Sequence, residues 1–256
     1  DKEEVNADIA TGKLMISDLP WGAYELVETK APNGYHLPAD EDDRTHAFTI
    51  DANNLHEDFE SVAVDNDSFE FTFYKHVTTD GSSVGTFLGQ SQFVLHLADS
   101  VPTEEANVIQ TYTSSATDGS FVVKSAELVD GKLTTYMNVS YSEDAKILYR
   151  VTEVKATDGY ELPDTAPYVE FWINQYGEFQ KVSSSDMTAN NQFLDKPLEL
   201  KIYKYDGGDK FTSEHLYAGE NETVTFKIKE QGASGDGETV TMTGGILTFG
   251  PGTNNP

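Results

Sequence analysis

Two pairs of residues have the types and the spacing that chemistry would need. Glu28 lies in "YELVETKAPNGYHL" (24–37), flanked by Leu26 and Val27 and followed by a Pro-Asn-Gly turn. The stretch recurs loosely as "YRVTEVKATDGYEL" (149–162), which places Glu153 125 residues after Glu28. Lys75 ends the apolar-alternating run of "SFEFTFYKH", and Lys204 ends that of "PLELKIYKY", 129 residues on. A carboxyl group withdrawn from water keeps its proton to higher pH and can pass it to a reacting centre. A lysine amine is nucleophilic only when neutral, and its ordinary pKa of about 10.4 keeps it charged at pH 7, so burial is its route to reactivity. Each group also has a plainer role. A carboxylate can be a solvated surface charge, and a lysine ending an edge strand guards against aggregation.

The elements that carry these residues are strands. Period-two alternation puts Phe69, Phe71, Phe73 and Lys75 on one face, and Leu198, Leu200, Ile202 and Lys204 on one face of another strand. "SQFVLHL", "GSFVVK", "YVEFWI" and "ETVTFKIKE" read as further strands, separated by clusters of Gly, Asp, Asn and Ser. No segment carries a helical stripe longer than two turns. The class is all-β, and strands this short and frequent predict a sandwich. The two spacings define a repeat of about 125 to 130 residues, so 256 residues hold about two units. The units do not start at residue 1. Residues 1–67 contain a "YELVE" strand with no Lys-ending strand before it, and residues 197–256 contain the Lys-ending strand with no later partner. One complete domain is therefore expected at 68–196, between the back part of one domain (1–67) and the front part of another (197–256).

Composition excludes several functions. A net charge of -27 repels a phosphate backbone, so no nucleic-acid partner is expected, and solubility in a crowded exterior explains the charge. With no cysteine there is neither a disulfide nor a thiolate metal site. No apolar run approaches the length of a membrane span, so no membrane insertion is expected. No signal peptide opens the chain and no sorting or lipidation signal closes it, as expected of an interior or trimmed piece of an exported parent. The six histidines show no paired-ligand spacing, and "DEDDR" (40–44) lacks the alternating ligands and glycine of a calcium loop, so no metal site is expected. No GxSxG, phosphate-loop or dinucleotide fingerprint occurs. Trp21 and Trp172 are candidates for a sugar platform, although Trp172 within "VEFWIN" reads better as a sheet or core residue.

Tyr24, Leu26, Glu28, Ala31, Pro32, Gly34, Tyr35 and Leu37 follow the pattern Y-x-L-x-E-x-x-A-P-x-G-Y-x-L. This resembles the E-box of Cna B-type domains, the prealbumin-like, immunoglobulin-like sandwiches of Gram-positive surface adhesins and pilins. The second copy retains Tyr149, Val151, Glu153, Ala156, Gly159, Tyr160 and Leu162, and departs at Thr157, where the first has Pro32. The resemblance covers essentially the whole chain in three pieces and implies tandem sandwiches. In that family the E-box Glu assists a spontaneous isopeptide bond between a Lys of the first strand and an Asn or Asp of the last. Carried over, it implies Lys75 and Glu153 for the complete domain. Asn66 stands nine residues before Lys75 and Asp195 nine before Lys204, which selects Asp195 as the acceptor for Lys75 and Asn66 for the first partial domain. Asn190 and Asn191 remain rivals to Asp195, because Asn is the commoner acceptor. Glu28 would assist at Asn66. The missing parts of the end domains lie outside the chain, or Lys204 of one molecule meets Asn66 of the next.

In that reaction the amine attacks the side-chain carbonyl, and ammonia leaves from Asn or water from Asp. The Glu polarises the carbonyl and carries a proton, while proximity supplies much of the rate. No cofactor is required, and the event occurs once per domain, so the chain is not an enzyme in the ordinary sense. The implied function is a stalk or backbone segment of a secreted, cell-wall-anchored surface protein or pilin, partnered by neighbouring domains or pilin subunits. The alternative is an adhesive module for a host glycoprotein or glycan.

Overall fold

The computed structural model describes residues 5–7, 12–16, 18–52, 64–203, 223–229, 231–232, 234–243 and 246–249. Its strands are β1 (Gly22–Val27), β2 (Thr45–Ile50), β3 (Glu70–Val77), β4 (Gln92–Leu97), β5 (Gln110–Thr113), β6 (Ser120–Lys124), β7 (Ala126–Val129) and β8 (Lys132–Thr135). They continue as β9 (Tyr149–Lys155), β10 (Tyr168–Ile173), β11 (Phe179–Ser185), β12 (Gln192–Asp195), β13 (Leu200–Tyr203), β14 (Thr223–Ile228), β15 (Glu238–Thr243) and β16 (Ile246–Phe249). Helix among the described residues is confined to short 3-10 turns, so the fold is all-β, as the period-two patterning predicts. The chain divides into two compact units, one drawn from residues 1–71, 124–147 and 172–180, the other from 72–123, 148–171 and 181–256.

In the first unit β1 and β2 pair antiparallel, with Tyr24 opposite Phe48 and their rings stacked 5.5 Å apart. The turn after β1 is held by residues about a hundred positions downstream. Gly34 N–H donates to Asn138 Oδ1 (3.1 Å), Ser125 Oγ donates to the Gly34 carbonyl (2.6 Å), and Ala31 N–H donates to Tyr141 Oη (2.7 Å). Ala31, Leu37, Phe69, Ala126, Met137, Val139 and Ile173 are the buried apolar side chains of this unit among the described residues. The β7–β8 hairpin turns on Asp130 and Gly131, both at positive φ, the backbone that a two-residue type I′ turn requires.

In the second unit a five-stranded sheet, in the order β11-β10-β9-β4-β5, faces a three-stranded sheet, β12-β3-β6. Aromatic rings fill the space between them. Phe93 of β4 stacks on Phe121 of β6 (4.3 Å) and meets Phe193 of β12 (4.9 Å), while Phe73 of β3 lies 5.6 Å from Phe121. Leu95, Val123, Val151, Val169 and Phe171 complete this dry interior. A separate four-stranded sheet, β13-β16-β15-β14, has its own small cluster of Val240, Met242 and Leu247.

The pairing of β12 with β3 matters most. The two run parallel, with Phe193 opposite Lys75 and Asp195 opposite Val77. The other edge of Lys75 is set by Gly119, whose carbonyl accepts the Lys75 N–H (2.8 Å). Gly119 has φ +67°, and a Cβ there would stand 2.4 Å from the Lys75 carbonyl oxygen. Both the left-handed backbone and the close approach require glycine. Gly119→Ala should therefore lower stability by roughly 2 kcal/mol or more, read from the chemical denaturation midpoint.

Candidate functional site

Alternation along β3 turns Phe73 and Lys75 inward together, so the lysine enters the aromatic interior instead of solvent. On β9 the same parity turns Tyr149, Val151 and Glu153 inward, and Glu153 lies opposite Phe93 of β4. Immediately beyond Glu153 the register slips: Gln92 pairs with Lys155, so Val154 is an extra residue and β9 bulges as it leaves the sheet. On β12 the side chains of Phe193, Leu194 and Asp195 are all buried, and Asp195 lies one step diagonally from Lys75 across the parallel pair.

These three elements bring Lys75, Glu153 and Asp195 into one cluster. Lys75 Nζ donates to Glu153 Oε2 (2.6 Å) and to Asp195 Oδ1. All three side chains are 0% exposed. Phe93 presents its ring 5.9 Å from Nζ. Among the described residues, Glu153 Oε1 and Asp195 Oδ2 are buried without a hydrogen-bond partner. An acceptor in that position is costly as a charged oxygen and much less so when it carries a proton.

The electrostatics follow from burial. Desolvation pushes Glu153 up to about 8, with Lys75 opposing and the Asp195 charge adding to the rise. Desolvation also raises Asp195 above the ordinary carboxylate range, again opposed by Lys75. One cation between two carboxyl groups leaves a surplus negative charge, and the pair relieves it by retaining a proton at neutral pH. The cluster then holds an amine donor, a carboxyl carbon next to it and a neutral acid in contact with both.

The other residues singled out in the sequence lie as follows. Asn190 is exposed, and Asn191 is half-buried with its backbone carbonyl accepting from Tyr74 N–H (3.0 Å), so neither is hydrogen-bonded to Lys75 as Asp195 is. In the first unit Asn66 Nδ2 donates to Glu28 Oε2 (2.9 Å) and to the His36 carbonyl (3.3 Å). Glu28 sits just past the end of β1, half-buried, with its N–H bonded to the Arg44 carbonyl (3.0 Å). Lys204 lies outside the described residues. Trp172 is half-buried beneath the Lys146 ammonium (4.8 Å), and Trp21 is exposed. Sequence reasoning passed over Ser91, which is fully buried with its Oγ 2.8 Å from Thr157 Oγ1; only its place one residue before the β4 alternation could have signalled it.

A pH test follows from the raised Glu153. A carboxyl whose pKa rises on folding contributes stability that is fully present below its unfolded value near 4.5 and is lost as pH rises through about 8. Lys75→Met removes the cation that opposes the rise, so its denaturation midpoint should fall across that window. Adding Glu153→Gln should remove that part of the slope, seen as the difference between the two midpoint-versus-pH curves.

Comparison with known proteins places part of this chain. The family model for the SpaA prealbumin-like fold domain matches residues 1–68. No curated protein matches the chain. Among solved structures, the Bacillus anthracis TIE protein aligns with a TM-score of 0.42 at 18% identity, over 91% of this chain and 35% of that one. BcpA, the major pilin subunit of Bacillus cereus, aligns at 0.29 and 15% identity, over 54% of this chain and 31% of that one. A streptococcal ancillary pilin aligns at 0.33 and 13% identity, over 91% and 63%. The chain thus spans about a third of the length of the first two. The matched residues 1–68 carry Glu28 and Asn66, and the match is in keeping with the Cna B-type resemblance of the repeated stretch.

Proposed function

We propose that the chain is a load-bearing segment of a Gram-positive surface protein or pilin. In its complete domain, residues 68–196, Lys75 and Asp195 join through a spontaneous isopeptide bond assisted by Glu153. The observation that carries this reading is the contact of Lys75 with both carboxyl groups in an interior free of solvent. The surface role rests on the resemblance of the repeated stretch to the E-box and on the family-model match of residues 1–68.

The step balances within the cluster. A proton moves from the Lys75 ammonium to the Asp195 carboxylate, giving a free amine and a carboxylic acid. The Nζ lone pair attacks Asp195 Cγ, Glu153 gives its proton to the departing hydroxyl, and Glu153 takes one from the nitrogen. The C–O bond breaks and water leaves. Amine and acid become a secondary amide plus one water, and Glu153 ends protonated as it began. The product removes a buried cation and one unpartnered oxygen, and the new amide N–H can still donate to Glu153 Oε2. Relief of those burial costs favours condensation in a site from which the released water escapes. In the first unit Glu28 and Asn66 supply the acid and an amide acceptor for the same chemistry, with ammonia as the leaving group.

Lys75 and Asp195 are 120 residues apart, so the link closes a loop that is worth roughly 4 to 5 kcal/mol in unfolded-state entropy. It also joins the first and last strands of the domain directly, so tension runs through a covalent bond and bypasses the sheets. Under denaturing conditions the wild-type chain should be lighter by one water than its sequence, and Glu153→Ala should restore the full mass. A full-mass wild-type chain would defeat the bond. In single-molecule pulling, the wild-type segment between the two residues should not extend, whereas Glu153→Ala should release about 400 Å of chain.

A further inference from the structure

The turn Pro32-Asn33-Gly34-Tyr35 and its second copy, Thr157-Asp158-Gly159-Tyr160, share one backbone and have different settings. Tyr35 N–H closes the first on the Pro32 carbonyl (3.1 Å), and Tyr160 N–H closes the second on the Thr157 carbonyl (3.0 Å). Gly34 and Gly159 have φ +87° and +88°. Each turn then runs beside the chain that leads into the next Lys-ending strand. Tyr35 bridges Ser68, and Tyr160 bridges Pro197. His36 N–H donates to the Asp67 carbonyl (3.1 Å), as Glu161 N–H does to that of Lys196 (2.9 Å).

The copies part at the next residue. In the second, Leu198 N–H donates directly to the Gly159 carbonyl (2.9 Å). Phe69 is the counterpart of Leu198, each standing six residues before its lysine. Its N–H donates instead to Ser125 Oγ (2.9 Å), and Ser125 Oγ donates onward to the Gly34 carbonyl (2.6 Å). A fully buried hydroxyl is thus inserted into a bond that the other copy makes directly. A hydroxyl can do this because it accepts and donates at once. The residues after Ser125 build a seat round the same turn. Gly34 N–H donates to Asn138 Oδ1 (3.1 Å), and Ala31 N–H donates to Tyr141 Oη (2.7 Å). A Cβ on Gly34 would stand 3.0 Å from Ala126 Cβ and 3.1 Å from Thr135 Cγ2, whereas one on Gly159 would meet nothing within 4 Å. Leu37 is 1% exposed and its counterpart Leu162 is 39% exposed.

We infer that residues 125–141 form a docking socket for the glycine turn of the preceding repeat, with Ser125 as its latch. Every residue of the socket and of the seated turn belongs to the first unit. Undocked, the turn closes directly on the strand behind it, as Gly159 does on Leu198. Docked, it gives up that bond and takes the Ser125 bridge, so no backbone group is left unpaired in a buried place. Ser125 is fixed for the task, because its own N–H donates to the Phe69 carbonyl (2.9 Å). The socket accepts a turn with no side chain at Gly34 and a small one at Ala31. It ties one repeat to the next by contacts additional to the chain itself, and it stands whether or not Lys75 and Asp195 are joined.

Ser125→Ala tests the latch. It leaves Phe69 N–H and the Gly34 carbonyl unpaired while the turn stays seated, and the turn relieves that cost by closing on Phe69 and leaving the socket. Amide hydrogen exchange of the full chain is read residue by residue by NMR. Gly34 and Ala31 should exchange about tenfold faster in the variant, while Phe69 stays protected by its new direct bond. Trypsin cleavage after Lys30, which is exposed beside the seated Ala31, should accelerate with them. Asn138→Ala, at a half-buried position, removes the acceptor of Gly34 N–H and should loosen Gly34, Ala31 and the Lys30 site with Ser125 in place. The Leu198 amide of the second copy should be unchanged in both variants. Wild-type exchange and cleavage in Ser125→Ala overturn the latch, and so does loss of Phe69 protection together with the turn, which would make Ser125 a packing residue only. Wild-type exchange and cleavage in Asn138→Ala overturn the socket.

Discussion

The two facing sheets of the second unit enclose one costly arrangement: an ammonium group and two carboxyl groups, fully buried beside phenylalanine rings. Full ionisation of all three would leave a net negative charge in an apolar interior. Burial therefore keeps a proton on the carboxyl pair, and both Glu153 and Asp195 are pushed toward neutrality. Replacing such a cluster by well-packed apolar residues is often neutral or stabilising, so its presence in a core is poor evidence of a stabilising ion pair. It makes sense as a reactive arrangement. Condensation would turn the cation and one acid into a neutral amide and relieve the cost of enclosing them.

The fold serves that arrangement through three local devices. Alternation on β3 and β9 sends Lys75 and Glu153 inward from opposite sheets. Parallel pairing sets β12 beside β3 with Asp195 diagonal to Lys75. The bulge at Val154 and the close approach at Gly119 end or pin the strands just where Glu153 and Lys75 leave them. A link between neighbouring parallel strands at the two ends of a domain is also the shortest covalent path for tension through it, which suits a stalk.

Much of this was legible in the sequence because strand parity is a simple code. "SFEFTFYKH" carries Lys75 at the same parity as three phenylalanines, and its burial follows. The spacing of Asp195 from the next lysine singled it out over Asn190 and Asn191, and the structure puts Asp195 alone of the three in hydrogen-bond contact with Lys75. What was not legible depends on contacts between distant segments. The hold of residues 124–141 on the Ala31–Gly34 turn joins positions about a hundred residues apart with no sequence pattern to announce it. At Glu28 the strand ends one residue early, and the side chain is half-buried.

The most direct test of the central claim is a peptide map of the denatured wild-type protein by tandem mass spectrometry. The account predicts a branched species in which the peptides holding Lys75 and Asp195 are joined with the loss of one water, and in which trypsin does not cut after Lys75. Two separate linear peptides of full mass, with cleavage after Lys75, would contradict it.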